Sequence, residues 1–148
     1  MIERVLQMVG INDVLNCTKM HGMPAISTTL LDNNPNDKPR IRNWNYRSVV
    51  GALSYLQAMV RSDITFTVEQ CARFCNNPRQ QHEDAVKLIC CYLLRTKEKG
   101  LVLRPDKSRG LEYFVDADWA GYVIMYAGFP IIWASKMQTL VSLSTIKE

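Results

Sequence analysis

Apolar residues recur at helical spacing in four stretches of the chain and alternate with polar ones only towards its end. Ile2, Val5, Leu6 and Val9 share one helix face, and Gly10 can close that helix with a left-handed cap. No period holds over residues 12–42. The run Leu31-Asp32-Asn33-Asn34-Pro35-Asn36-Asp37-Lys38-Pro39 is dense in turn formers, so this segment reads as a loop or linker. A second helix is expected over about 45–60, with Val49, Val50, Leu53, Leu56, Gln57 and Val60 near one face. A third opens at Ser62 or Asp63, either of which can cap free N–H groups. It turns Ile64, Val68, Cys71, Ala72 and Cys75 inward and stops at Asn76-Asn77-Pro78. A fourth spans about 79–97, with the stripe His82, Ala85, Val86, Ile89, Tyr92 and Leu93 and a stop at Gly100. On that stripe His82 reads as a packed core histidine rather than a ligand.

The period changes after Gly100. Short strands are expected over 101–103, 111–116, 122–127 and 131–134, with turns at residues 105–110 and at Gly128-Phe129-Pro130. Val141 and Leu143 alternate with Ser142 and Ser144 like a half-buried strand end. Thr145 and Glu148 have the spacing of a capping box, which announces a further helix. Helices followed by strands give an α+β class: a helical part over 1–99, containing the 12–42 linker, and an antiparallel sheet over 100–148.

Composition narrows the field less. The 148 residues are 47% hydrophobic and 22% charged, as in ordinary globular chains. A net charge of +4 is compatible with nucleic acid but does not demand it. No apolar run reaches the roughly 18 residues that span a bilayer, and Glu3 spoils a signal-peptide start. The expectation is an intracellular protein, cytoplasmic or nuclear, that is not secreted and has no membrane partner. Five cysteines, an odd count, argue against a closed disulfide framework. Cys71 with Cys75 and Cys90 with Cys91 lack zinc-ligand spacing, so buried reduced thiols are expected.

Asp116-Ala117-Asp118, at a strand end, is the carboxylate cluster of interest, because a rigid strand can aim an aspartate at Mg²⁺. On spacing alone a solvated turn explains it better. Asp63, Glu69, Glu83 and Asp84 read as helix-start and surface charges. Arg40, Arg42, Arg47 and Arg61 flank the second helix beside Trp44, Tyr46 and Tyr55. That mixture can track a phosphate backbone, although a polar helix face over core aromatics fits the spacing better. No Gly-rich phosphate loop, nucleophile elbow or local Cys–His pair is present.

Several stretches, in order, resemble copia-type retrotransposon Pol polyproteins. Residues 45–56, NYRSVVGALSYL, look like the family's Y-R-S-x-x-G-x-L-x-Y-L. Arg61-Ser62-Asp63-Ile64 is similar to T-R-P-D-I, with Ser62 in place of proline. Residues 72–78 resemble S-R-F-x-x-x-P, residues 115–121 match D-A-D-W-A-G, residues 132–138 resemble I-x-W-x-S-K-x-Q, and Leu143-Ser144-Thr145 begins L-S-T-T-E-A-E-Y. The likeness covers about 45–148. It implies that the helices are the thumb- or connection-like end of a reverse transcriptase and that the strands open an RNase H-like sheet. It further implies Asp116 as a catalytic and metal-binding carboxylate, with Asp118 as a second metal candidate, serving two Mg²⁺ ions during cleavage of RNA in an RNA–DNA hybrid.

The departures shape the functional expectation. The family's Y-V-D-D motif is absent, a polar segment ending in K-S-T-S-G is missing between Gly121 and Tyr122, and Lys147 replaces the first glutamate of T-E-A-E-Y. The chain stops before the second glutamate. A vestigial Asp116 cannot alone assemble a two-metal site, so the fragment is expected to be catalytically inactive, with Mg²⁺ the parent family's cofactor and none bound tightly. The alternative is a non-enzymatic module that binds nucleic acid or protein, with Arg42, Arg47 and Arg61 contacting an RNA–DNA hybrid. The strand bearing Asp116 is also expected to keep an unpaired edge through which the chain self-associates.

Overall fold

The computed structural model describes residues 1–11, 17, 24, 31–34, 36–100, 104–116 and 121–135. The chain divides into two compact units, Met1–Val102 and Leu103–Glu148. Its architecture is α+β, helices first and an antiparallel sheet after them.

The first unit contains α1 (Ile2–Val9), α2 (Tyr46–Met59), a 3-10 turn (Ser62–Ile64), α3 (Thr65–Ala72) and α4 (Gln80–Arg95). Gly10 caps α1 at φ 77°, the left-handed conformation that costs glycine little. Asn45 caps α2, its side-chain oxygen accepting from the Ser48 N–H at 2.9 Å. One core joins Val5, Leu6 and Val9 of α1 to Val49, Val50 and Leu53 of α2, Val68 and Cys71 of α3, and Val86, Ile89 and Leu93 of α4. Tyr46 enters this core and its hydroxyl donates to the Cys71 carbonyl at 3.0 Å.

Three expectations need correction here. Val60 lies beyond the end of α2 and is exposed, because the chain leaves helical geometry at that residue. The third helix begins as a 3-10 turn and ends at Ala72, ahead of the Asn76-Asn77-Pro78 stop. The cysteines are not all reduced thiols: Cys17 and Cys91 form a disulfide with their Cα atoms 5.7 Å apart, and Cys71, Cys75 and Cys90 remain free. A bridge between residues 74 apart in sequence has no local signature.

The segment ahead of α2 is strapped to the start of α4. The backbone N–H of Gln80 donates to the Lys38 carbonyl at 3.0 Å, and that of Gln81 to Asp37 Oδ2 at 3.2 Å. The Gln81 side chain returns to Asp32, reaching its carbonyl at 3.1 Å and Oδ1 at 2.9 Å. The free N–H groups of a helix start need acceptors, and here a distant loop supplies them.

The second unit is a meander, order β1-β2-β3, of β1 (Leu111–Asp116), β2 (Gly121–Tyr126) and β3 (Phe129–Ala134). The tight turn is Ala127-Gly128, both at positive φ (51° and 84°), as a two-residue hairpin of the primed type requires. Strand β3 therefore starts at Phe129 and takes in Pro130, which the sequence had placed in the turn. The register shifts opposite Ile124/Met125, and β3 is an edge strand of the described sheet, so the missing proline N–H is tolerated. The expected strands at 101–103 and 141–144 and the capping box at Thr145 lie outside the described residues.

Removing the hydroxyl in Tyr46→Phe deletes one buried hydrogen bond, while the Cys71 carbonyl keeps its contact with the Phe74 N–H at 3.2 Å. The expected loss is about 1 kcal/mol. Urea unfolding checks it: the midpoint should fall with an unchanged slope.

Candidate functional site

Asp116 is the last residue of β1 and pairs with Gly121 across the hairpin. Asp118 falls in 117–120, outside the described residues. Beside Asp116 in sequence, Phe114, Val115, Gly121, Tyr122, Val123 and Ala134 line a shallow depression of about 260 Å³. Its walls are aromatic and aliphatic. Among the described residues no three His, Cys, Asp or Glu side chains stand together as metal ligands. Paired Mg²⁺ ions need several converging carboxylates.

The three candidate arginines occupy different environments. Arg47 is exposed on the first turn of α2. Arg42 is half-exposed, its Nε 3.7 Å from Glu83 Oε1. Arg61 is mostly buried and fully engaged. It forks onto Asp63 at 2.9 and 2.8 Å, donates to Thr96 Oγ1 at 2.7 Å and lies 5.4 Å above the Tyr92 ring. The Tyr92 hydroxyl donates to the same carboxylate at 2.7 Å. Burial alone would raise the Asp63 pKa, but the hydrogen bonds from Arg61 and Tyr92 outweigh it and hold the carboxyl below its usual value. This group ties the α2–α3 corner to the end of α4. The structure thus leaves Arg42 and Arg47 facing water and encloses Arg61.

Arg40 and Glu83 form a second knot, one that spacing concealed. Glu83 is buried at 1% exposure, so it is not the surface charge expected of it. The Arg40 Nε lies 3.4 Å from Glu83 Oε2, and Arg40 also donates to the Trp44 carbonyl at 2.7 Å. Its guanidinium sits 4.7 Å from the centre of the Trp44 ring, which stacks on Tyr46 at 5.7 Å. A buried carboxylate needs such partners, and two arginines from the strap provide them.

His82 is fully buried and stacks on Phe74, ring centres 4.0 Å apart. Its Nδ1 accepts from the Arg79 N–H at 2.8 Å, which leaves Nε2 to carry the proton and donate to the Asp32 carbonyl at 2.9 Å. Both ring nitrogens serve the fold, as the stripe position of His82 predicts.

Comparison with known proteins decides the family. No family profile matches the chain, and no solved structure does. The chain is 36% identical over 103 residues to the retrovirus-related Pol polyprotein from transposon RE1 of Arabidopsis thaliana, which spans 63% of this chain. It is 32% identical over 155 residues to the corresponding polyprotein from transposon TNT 1-94 of Nicotiana tabacum, which spans 97% of it. The chain belongs to the copia-type retrotransposon Pol family. It covers only 7% and 12% of those two polyproteins. It is also 31% identical over 118 residues to secreted RxLR effector protein 161 of Plasmopara viticola, and there it covers 83% of the relative. No helix among the described residues is long and apolar enough to cross a membrane.

Burial pushes the His82 pKa below its ordinary value, against the hydrogen bond to Asp32, which favours the protonated ring. The unfolded chain therefore takes up the proton first. The stability His82 contributes is complete above about pH 6.5 and is lost as pH falls below that value. Urea midpoints between pH 7 and 5 should decline more steeply for the parent than for His82→Gln, whose amide oxygen still accepts from the Arg79 N–H. Equal slopes would rule out this role.

Proposed function

We propose that the chain is the helical end of a reverse transcriptase joined to the opening strands of an RNase H-like sheet, and that these 148 residues are catalytically inactive by themselves. The observation that carries this reading is the alignment over 97% of the chain with a Pol polyprotein; the chain's own D-A-D-W stretch begins at Asp116, the last residue of β1. The helix-then-meander order agrees with it. Hydrolysis by two Mg²⁺ ions requires carboxylates converging from several elements, and Asp116 is a single strand-end donor.

A second reading, a non-enzymatic binding module, has its own support. Arg42 and Arg47 present cations to solvent beside Trp44, which is itself partly exposed. A relative of nearly the same extent is named a secreted effector rather than a polyprotein. In this reading the arginines meet the phosphates of an RNA–DNA hybrid, and Arg61 serves by fixing the α2–α3 corner.

The purified chain, offered a labelled RNA–DNA hybrid with Mg²⁺, should give no cleavage, and Asp116→Asn should behave identically. Cleavage by the parent that the variant loses would overturn the inactive reading. The binding reading is checked by hybrid affinity at rising salt. A steep fall is expected, with Arg47→Ala reducing the log–log slope by about one. An affinity indifferent to salt would remove the nucleic-acid module from consideration.

A further inference from the structure

The helical unit holds one disulfide, one end of it on α4. Cys17 and Cys91 are 1% and 0% exposed, and the Arg95 guanidinium donates to the Cys17 carbonyl at 3.0 Å, so residue 17 is docked on α4 at two points. Nearby, α1 lies against α4 through the core residues Val5, Leu6 and Val9, and Lys97 reaches Glu3 at 3.9 Å. Cys90, adjacent to Cys91 in sequence, is a buried free thiol close to Cys71, which is also free and buried. Burial pushes both of those thiols up to about 12, and it raises Cys75 as well. Thiol exchange needs a thiolate, so these three are poor attackers of the bridge. The odd count of five thus resolves into one bridged pair and three free thiols.

We propose that Cys17–Cys91 is a redox-operated fastener that sets how readily the N-terminal piece of the helical unit, α1 together with residue 17, opens away from α4. On closing, the two thiols give up two electrons and two protons as the S–S bond forms. A small-molecule disulfide accepts them and is split into two thiols. Two molecules of a small thiol reverse the reaction, giving two electrons and two protons to Cys17 and Cys91 and leaving joined as their own disulfide. The buried sulfurs become reachable because α1 is a helix of only 8 residues, the kind of element that opens locally before longer ones. The closed form suppresses that opening, because the bridge holds Cys17, which follows α1 closely in sequence, on Cys91 of α4 and so keeps α1 near the face it packs against.

The test uses the full chain equilibrated with oxidised or reduced glutathione. Peptide mapping without reductant should give one linked pair, containing Cys17 and Cys91, with Cys71, Cys75 and Cys90 alkylatable after unfolding. Amide hydrogen exchange in α1 should be at least about ten-fold faster in the reduced form, with Tm lower by roughly 10 °C. Cys17→Ala, which leaves α4 untouched, should exchange at the fast rate under both conditions. A linked pair involving Cys90, no linked pair, or equal α1 exchange in the two forms would overturn the proposal.

Discussion

Burying a carboxylate and an imidazole at the first turn of α4 is the constraint around which the helical unit is arranged. Glu83 and His82 are both excluded from water, and a buried polar group left without partners costs several kcal/mol. The strap over residues 31–34 and 36–42 offsets part of that cost, while Glu83 Oε1 and Arg40 Nε take part in no hydrogen bond. Arg40 and Arg42 face the carboxylate, the Asp32 carbonyl accepts from the imidazole, and Asp37 and Lys38 accept from the helix N–H groups. The same strap ends at Trp44 and Tyr46, so it also sets where α2 begins. A segment without hydrophobic period is thereby held by polar contacts rather than by a core of its own.

The basic residues divide along the same lines. An arginine beside aromatic rings serves either as a phosphate contact or as a stacked structural cation, and these alternatives share one sequence pattern. Arg61 is claimed by Asp63, Thr96 and Tyr92, and Arg40 by Trp44 and Glu83. Arg47 has no ion pair among the described residues and remains exposed. Charge count alone overstates the surface available to nucleic acid, since ion pairs inside the unit absorb part of it.

The sheet carries apolar residues on both faces. Cross-strand partners share a face, so Leu111, Tyr113 and Val115 stand with Tyr126, Ile124 and Tyr122 on one side, and Glu112 and Phe114 stand with Met125 and Val123 on the other. Several of these apolar residues are exposed, Val115 at 78% and Tyr113 at 63%. Strand β1 is an edge of the described sheet, with no partner strand on its outer side among the described residues. Asp116 thus sits at the end of an edge strand of the described sheet.

By itself the sequence determined the helices, the α+β order, the placement of His82 in the core and the register of motifs that marks the Pol family. These rest on local spacing and on short runs that survive divergence, and neither needs knowledge of distant contacts. Tertiary structure alone decided that Cys17 meets Cys91, that Asp37 and Lys38 cap a helix more than forty positions later, that Glu83 is buried, and that Arg61 turns inward while Arg47 does not. It also decided that Pro130 lies in a strand, because a bulge beside a sheet edge excuses its missing donor. In every such case the deciding partner is remote in the chain, and the pairing becomes favourable only once the core has brought the two segments together.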